Sequence, residues 1–293
     1  MHPTRAVDHS VHGQENSPIN ATVFTGRWPE LRIGGTFSPT TATLLTGPTE
    51  AVLVDAVFLR EDVEALGNLI ADTGKKLTTI YVTHGHADHY FGIGELLKQF
   101  PEARAVALPN VITWIQENVD MQTSQWDLLF GDKTVKCDVI PEPLESLELK
   151  IDDVVANVIE VEQADINPTS IVHIPETGVV VAGDAVYNEI HPMLGLSSPE
   201  EWRKWIATID LVESLDPTMI VAGHKRPDSD DRAVRTMLDT TRAYIEDFAA
   251  AYEQSASAEE LIAIMERKYP GHGNRWTLEF SATQALSQRA GEN

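Results

Sequence analysis

Residues 83–89 read Thr-His-Gly-His-Ala-Asp-His, which puts four metal-ligand side chains, His84, His86, Asp88 and His89, within six residues. The run before them, Leu77-Thr78-Thr79-Ile80-Tyr81-Val82, is apolar and β-branched and predicts a strand. After them Ile93, Leu96, Leu97 and Phe100 recur at helical spacing. The ligands therefore belong to a loop at the C-terminal end of a strand, where α/β sheets place chemistry. Imidazole with carboxylate suits zinc, and iron and manganese also accept that set. Imidazolium groups crowded this closely repel one another unless a metal holds them. His84 and His86 are expected to face one ion, and Asp88 and His89 a second.

The pattern His84-x-His86-x-Asp88-His89 resembles the signature of the metallo-β-lactamase-fold superfamily. Two later strand ends fit the resemblance: Val179-Val180-Val181-Ala182-Gly183-Asp184 and Ile220-Val221-Ala222-Gly223-His224. It implies that Asp184 bridges two metals and that His224 binds the second. It also implies that Asp55, closing the strand Ala51–Val54, supports the metal loop without binding metal. Relatives draw a third first-site histidine from a loop that here spans 161–170. Aligned on the following strand, Gln163 falls at that place, with Asp165 two residues on. An amide oxygen is a poor zinc ligand beside imidazole, so the first metal is expected to bind more weakly than the second. Either Gln163 or Asp165 completes the first site, or a single ion occupies the second, or the metal is not zinc.

The resemblance covers roughly residues 20–250 and implies an α/β fold, a four-layer αββα metallo-β-lactamase sandwich with C-terminal helices. The metal site then lies at one edge, between the two sheets. The expected organisation is a flexible N-terminal tail over 1–19, containing His2, His9 and His12, and a single domain over 20–293 that includes the C-terminal helical segment. Those last helices either complete the outer layer or support a homodimer.

Composition narrows the partners. The formal charge of −23 repels nucleic-acid phosphates and anionic membranes, so neither is an expected partner. No run approaches the roughly 18 apolar residues of a membrane span, and the N-terminus lacks the apolar core of a signal peptide. One cysteine, Cys137, precludes an intramolecular disulfide. Together these point to a cytoplasmic protein acting on a small molecule.

Alternating patterns predict further elements. Ala42–Thr46 and Ala51–Asp55 form a hairpin, residues 60–73 a helix ending at Gly74, and 103–108 a strand. Residues 110–130 read as a helix whose Trp114, Met121 and Trp126 either pack in the core or shape a pocket. Gly26–Thr41 reads as an aromatic loop beside the site. Val135–Ile140, Leu147–Ile151, Val154–Val161, Ser170–Ile174, Gly178–Ala182 and Met219–Ala222 read as strands, with Asp184 and His224 just beyond the last two. Helices are expected over 199–215, 230–253, 258–269 and 277–288.

Asp88, Tyr187 and His191 are the candidate catalytic residues. Asp88 would orient or deprotonate water, and Tyr187 or His191 would donate a hydrogen bond to substrate or an oxyanion. Tyr90 is a candidate pocket residue, Lys225 and Arg226 candidate anchors for a substrate carboxylate, and His173 reads as structural. The expected function is metal-dependent hydrolysis of a lactone, ester, thioester or amide, with one or two zinc ions polarising the carbonyl and acidifying the attacking water. Iron and manganese remain open as the metal. The alternatives are an iron-dependent oxidoreductase on the same fold, a non-hydrolytic isomerase, lyase or cyclase, and a non-catalytic binding protein.

Overall fold

The computed structural model describes residues 11–12 and 19–291. The first half runs β1 (Val11–His12), β2 (Asn20–Thr25), β3 (Thr41–Thr46), β4 (Glu50–Val54), α1 (Arg60–Asp72), β5 (Lys76–Val82), α2 (Ala87–Tyr90), α3 (Ile93–Gln99), β6 (Arg104–Ala107), α4 (Pro109–Phe130) and β7 (Glu142–Pro143). The second runs β8 (Glu148–Ile151), β9 (Val154–Val161), β10 (Thr169–Ile174), β11 (Val179–Asn188), α5 (Pro199–Ser214), β12 (Met219–Lys225), α6 (Val234–Gln254), α7 (Ala258–Lys268) and α8 (Arg275–Gly291). One sheet has the order β1-β2-β3-β4-β5-β6-β7, and the other β12-β11-β10-β9-β8. With helices outside both sheets, this is the four-layer αββα sandwich.

The second sheet shows why its strands read as unbroken apolar runs. Val172, Ile174, Val179, Val181, Met219 and Val221 face the core shared with the first sheet. Their neighbours Ile171, Val180, Ala182, Ile220 and Ala222 pack outward, into a second core with α5 and α6. A strand buried on both faces has no polar alternation to show. Trp202 and Trp205 of α5 are fully buried in that outer core, and truncating either to alanine would cost about 3–5 kcal/mol. The start of α5 is fixed by a capping box in which Ser198 and Glu201 bond each other's backbone, with Pro199 in the first turn.

Several expectations are corrected. Residues 135–140 form no strand: Val135 donates to the Phe58 carbonyl instead of to a ladder, and half-buried Cys137 packs against the core from irregular backbone. Asp184 and His224 lie inside β11 and β12, not beyond them. These strands pair in parallel but shift register between Val181 and Gly183 and again between Gly183 and Tyr187. The irregularity lets pairing continue while Asp184 turns toward the site. Helix α6 begins at Val234, four residues later than the pattern suggested. Within the N-terminal segment Val11–His12 pair with β2, while His2, His9 and the rest of 1–18 lie outside the described residues. Among the described residues no helix is long and apolar enough to cross a membrane.

Candidate metal centre

The two sheets meet at one edge through polar contacts. Ser170 at the start of β10 donates from its backbone and its hydroxyl to the Thr83 carbonyl, at 3.1 and 2.9 Å. Thr41 donates to the Ala222 carbonyl at 2.7 Å, joining β3 to β12. The end of β5, the 161–169 loop and the bends of β11 and β12 thereby converge. Glycine is required at Gly223, where a Cβ would lie 2.0 Å from Asp184 Oδ1.

Seven side chains gather at this edge in two groups. His84, His86, Asp165 and Asp184 form one, and Asp88, His89 and His224 the other; within each, one potential ligand atom per residue lies within 4.8 Å of the rest. Asp184 also reaches the second group, with Oδ1 3.2 Å from His89 Nε2 and Oδ2 3.3 Å from His224 Nε2. Four buried atoms here, His84 Nε2, His89 Nε2, Asp165 Oδ2 and Asp184 Oδ1, have no hydrogen-bond partner among the described residues. Buried polar atoms are rarely left so. Asp165 Oδ2 is 2.6 Å from His86 Nδ1 and 3.9 Å from His84 Nε2, outside hydrogen-bond geometry. Orphaned imidazole nitrogens and carboxylate oxygens turned toward one another are the donor set of a divalent metal, so the residues fit such an ion.

The far sides of the ligands are anchored. Asp55 receives His89 Nδ1 at 2.9 Å and the Thr83 hydroxyl at 2.9 Å, and Thr83 in turn contacts His84 Nδ1 at 3.0 Å. This matches the supporting role expected for Asp55. His224 Nδ1 lies 3.1 Å from the Pro39 carbonyl, which can only accept. That places the proton on Nδ1 and leaves Nε2 free for an ion. Thr40 donates to Asp88 Oδ2 at 3.0 Å.

Electrostatics follow from this crowding. Burial disfavours imidazolium at His89, but the carboxylates of Asp88, Asp184 and Asp55 outweigh it and raise its pKa well above the usual value. His224 rises to about 10 against burial, through Asp184 and Asp88. Burial, with His89 alongside, holds His84 well below the usual value. Burial raises the Asp165 carboxyl, and at His86 the Asp165 charge outweighs burial and raises the imidazole. The protons held by His89 and His224 are what an entering cation displaces.

Of the two loop residues left open for the first group, Asp165 and not Gln163 is brought to His84 and His86. Gln163 donates its side-chain amide to the Ala164 carbonyl at 3.0 Å, whereas Asp165 joins His84 and His86. Tyr187 reaches the site, but its hydroxyl donates to Asp184 Oδ2 at 2.6 Å, so its proton is committed to a ligand and not held out to substrate. His191 is not brought to the site; its Nδ1 pairs with the Tyr244 hydroxyl at 2.8 Å in the outer core, where burial lowers its pKa to about 3. Lys225 is buried against Asp231 at 2.7 Å, and Arg226 faces Glu189 and Asp228, so neither anchors a substrate at the site. Tyr90 is buried behind Gln122 and does not line the cleft. His173 lies half-buried within β10, paired with Asn157 and Val180, away from both groups.

The open cleft above the two groups has a cavity volume of about 80 Å³. Its wall draws on Phe37 of the early loop, Trp126 of α4 and Trp276 of α8, so both the Gly26–Thr41 loop and the long helix shape the pocket. Gln122 was not singled out in the sequence. Its Oε1 accepts from Ala87 N at 2.7 Å and its Nε2 donates to the Gly85 carbonyl at 2.9 Å, clamping the ligand loop to α4. A glutamine on the inner face of an aromatic helix was its one signal.

A sequence profile of the Metallo-beta-lactamase superfamily matches residues 35–224. Among solved structures the chain is similar to a beta-lactamase domain protein from Burkholderia ambifaria, at 17% identity and TM-score 0.67, over 99% of this chain and 92% of that one. It is also similar to a metallo-beta-lactamase family protein from Thermus thermophilus, at 18% and 0.63, over 92% and 94%. A third is a metallo-beta-lactamase from Pontibacter korlensis, at 15% and 0.58, over 82% and 100%. Such identities show the fold alone. No curated protein matches the sequence. With that profile spanning more than half the chain, from the aromatic loop through the last ligand, the chain belongs to the metallo-beta-lactamase superfamily.

Proposed function

We propose that the protein is a metal-dependent hydrolase of a small lactone, ester, thioester or amide. The observation carrying this reading is the set of four buried, partnerless ligand atoms at the base of an open cleft. Asp88, His89 and His224 would hold one ion and His84, His86 and Asp165 another, with Asp184 between them. A divalent ion there supplies Lewis acidity and makes water nucleophilic near neutral pH. Asp88, which lines the cleft, accepts the proton that water gives up, and Thr40 fixes the carboxylate for that task. Tyr187 is a positioning residue: its hydroxyl holds Asp184 and its ring stacks on His224 at 5.6 Å. Zinc is the proposed ion for the second group.

Asp165 favours a second reading of the metal. With two imidazoles and two carboxylates the first group is harder than a three-histidine site, which suits manganese or iron. Metal analysis of the purified protein, followed by assay of stripped and reconstituted samples on an ester, lactone, thioester and amide panel, tests both statements. Expected are bound divalent metal and hydrolysis that is lost on stripping and restored on reloading. Fully loaded protein that instead consumed oxygen, or gave products with no added water, would overturn the hydrolase reading.

A further inference from the structure

The charged side chains in the cleft wall are His86, Asp88, Asp165, Asp184 and His224, and each already belongs to a ligand group. Much of the remaining lining is apolar: Phe37, Trp126, Leu129, Leu196, Trp276 and Phe280, with Phe37 edge-on to His224 at 5.6 Å. Phe37 is its centre, edge-on to Trp126 at 5.5 Å and to Trp276 at 5.8 Å, while Trp276 stacks on Phe280. Leu196, 47% exposed, extends the apolar wall to the mouth. Neutral hydrogen-bonding groups also line the cleft. Gln122 is committed to Gly85 and Ala87, and Asn274 Nδ2 donates to Ser38 and Thr277 while its Oδ1 is buried without a partner among the described residues. The half-buried Gln125 lines the same cleft with its amide uncommitted among the described residues. The neighbouring cation Lys225 is turned into the protein against Asp231.

From this wall we propose that the substrate is an uncharged acyl compound carrying an aromatic or aliphatic group, which packs against Phe37, Trp126 and Trp276 while Gln125 hydrogen-bonds a polar atom beside it. The inference rests on the hydrolase reading and specifies its substrate class. An ionised group remote from the reacting carbonyl would leave water for an apolar wall with no counter-charge, which is unfavourable. An aromatic group gains area and edge-to-face contacts there.

The test uses metal-loaded protein and two aryl esters identical except for a carboxylate on the ring, with their ether analogues, which have no carbonyl to hydrolyse. Binding of the ethers is followed by quenching of tryptophan fluorescence, and turnover of the esters by product release. The uncharged ether is expected to bind about tenfold or more tightly than its carboxylate twin, with kcat/KM of the esters following the same order. Gln125→Arg should narrow or reverse that preference, with Gln125→Leu as a fold-preserving control that keeps it. Equal or tighter binding of the carboxylate twin would overturn the substrate class. Preferential binding of the uncharged ether with no water added to either ester would instead overturn the hydrolase reading and leave the substrate pocket standing. Hydrolysis of both esters without preference would do the reverse.

Discussion

The two ligand groups are built to different standards. In the second, every member is braced from behind: His89 by Asp55, His224 by Pro39 and Ser38, Asp88 by Thr40. In the first, His84 is braced only through Thr83, His86 is partly open to the cleft with its Nδ1 against Asp165, and Asp165 is steadied by the amide of Ile166, its own neighbour. Bracing fixes ring orientation and raises ligand basicity. The difference teaches that two halves of one motif, six residues long, can differ in metal retention because their supports come from different elements.

The largest effect should come from the residue common to both halves. Asp184→Ala removes the shared carboxylate, and both ions should be lost or bound so weakly that activity falls to background. Metal content and turnover, measured together, check this; retention of both ions would show that Asp184 is not shared.

Next comes the bracing itself. Asp55→Ala leaves His89 Nδ1 and Thr83 without their acceptor and should weaken metal binding by about 10–100-fold at the second group, read by competition with a chelator. The intact protein should fill Asp88, His89 and His224 first in a stepwise titration followed by anomalous scattering. An ion held only by His84 and His86 would invert the comparison.

Smaller still is the effect confined to the first group. Asp165→Asn should weaken the first ion and leave the second in place, whereas Asp165→His should shift the first group from manganese or iron toward zinc. Metal competition followed by elemental analysis separates the two. Loss of both ions from Asp165→Asn would mean the halves are not independent.

A separate effect lies outside the site and distinguishes acid unfolding from acid loss of metal. His191 is held neutral by burial, with its pKa near 3, against about 6.5 in the unfolded chain. Between those values the unfolded chain binds the extra proton. Stability is therefore full above pH 6.5 and falls as pH drops toward 3, by up to about 3 kcal/mol at pH 4. Chemical denaturation of metal-free His191→Gln across that range should give a flatter slope. An unchanged slope would place the acid sensitivity elsewhere, with half-buried His272, lowered to about 4, as the next group to replace.

What the sequence determined by itself was local and periodic. Alternation and apolar runs marked the core strands, because a strand buried on both faces must be apolar throughout. The six-residue motif announced metal, because so many ligands at one strand end have no structural use. The role of Asp55 was legible only through the family resemblance, which implies a supporting aspartate at that strand end. The tertiary structure decided what depends on distance through space. Asp165 rather than Gln163 joins the first group, because which side chain of the loop before β10 faces His84 and His86 is set by the loop's path through space. Tyr187 turns its proton to Asp184 from within β11, and His191, past the strand's end and a bend at Glu189, faces the outer core, because a side chain's direction follows from the local course of the backbone and not from closeness to a motif. The wall of the cleft was legible only in part, since the aromatic loop and α4 were marked as pocket candidates but the contribution of α8 was not. Phe37, Trp126 and Trp276 are separated by nearly the whole chain, and only the folding of the loop, α4 and α8 onto one edge of the two sheets makes them a single apolar surface facing the metal ligands.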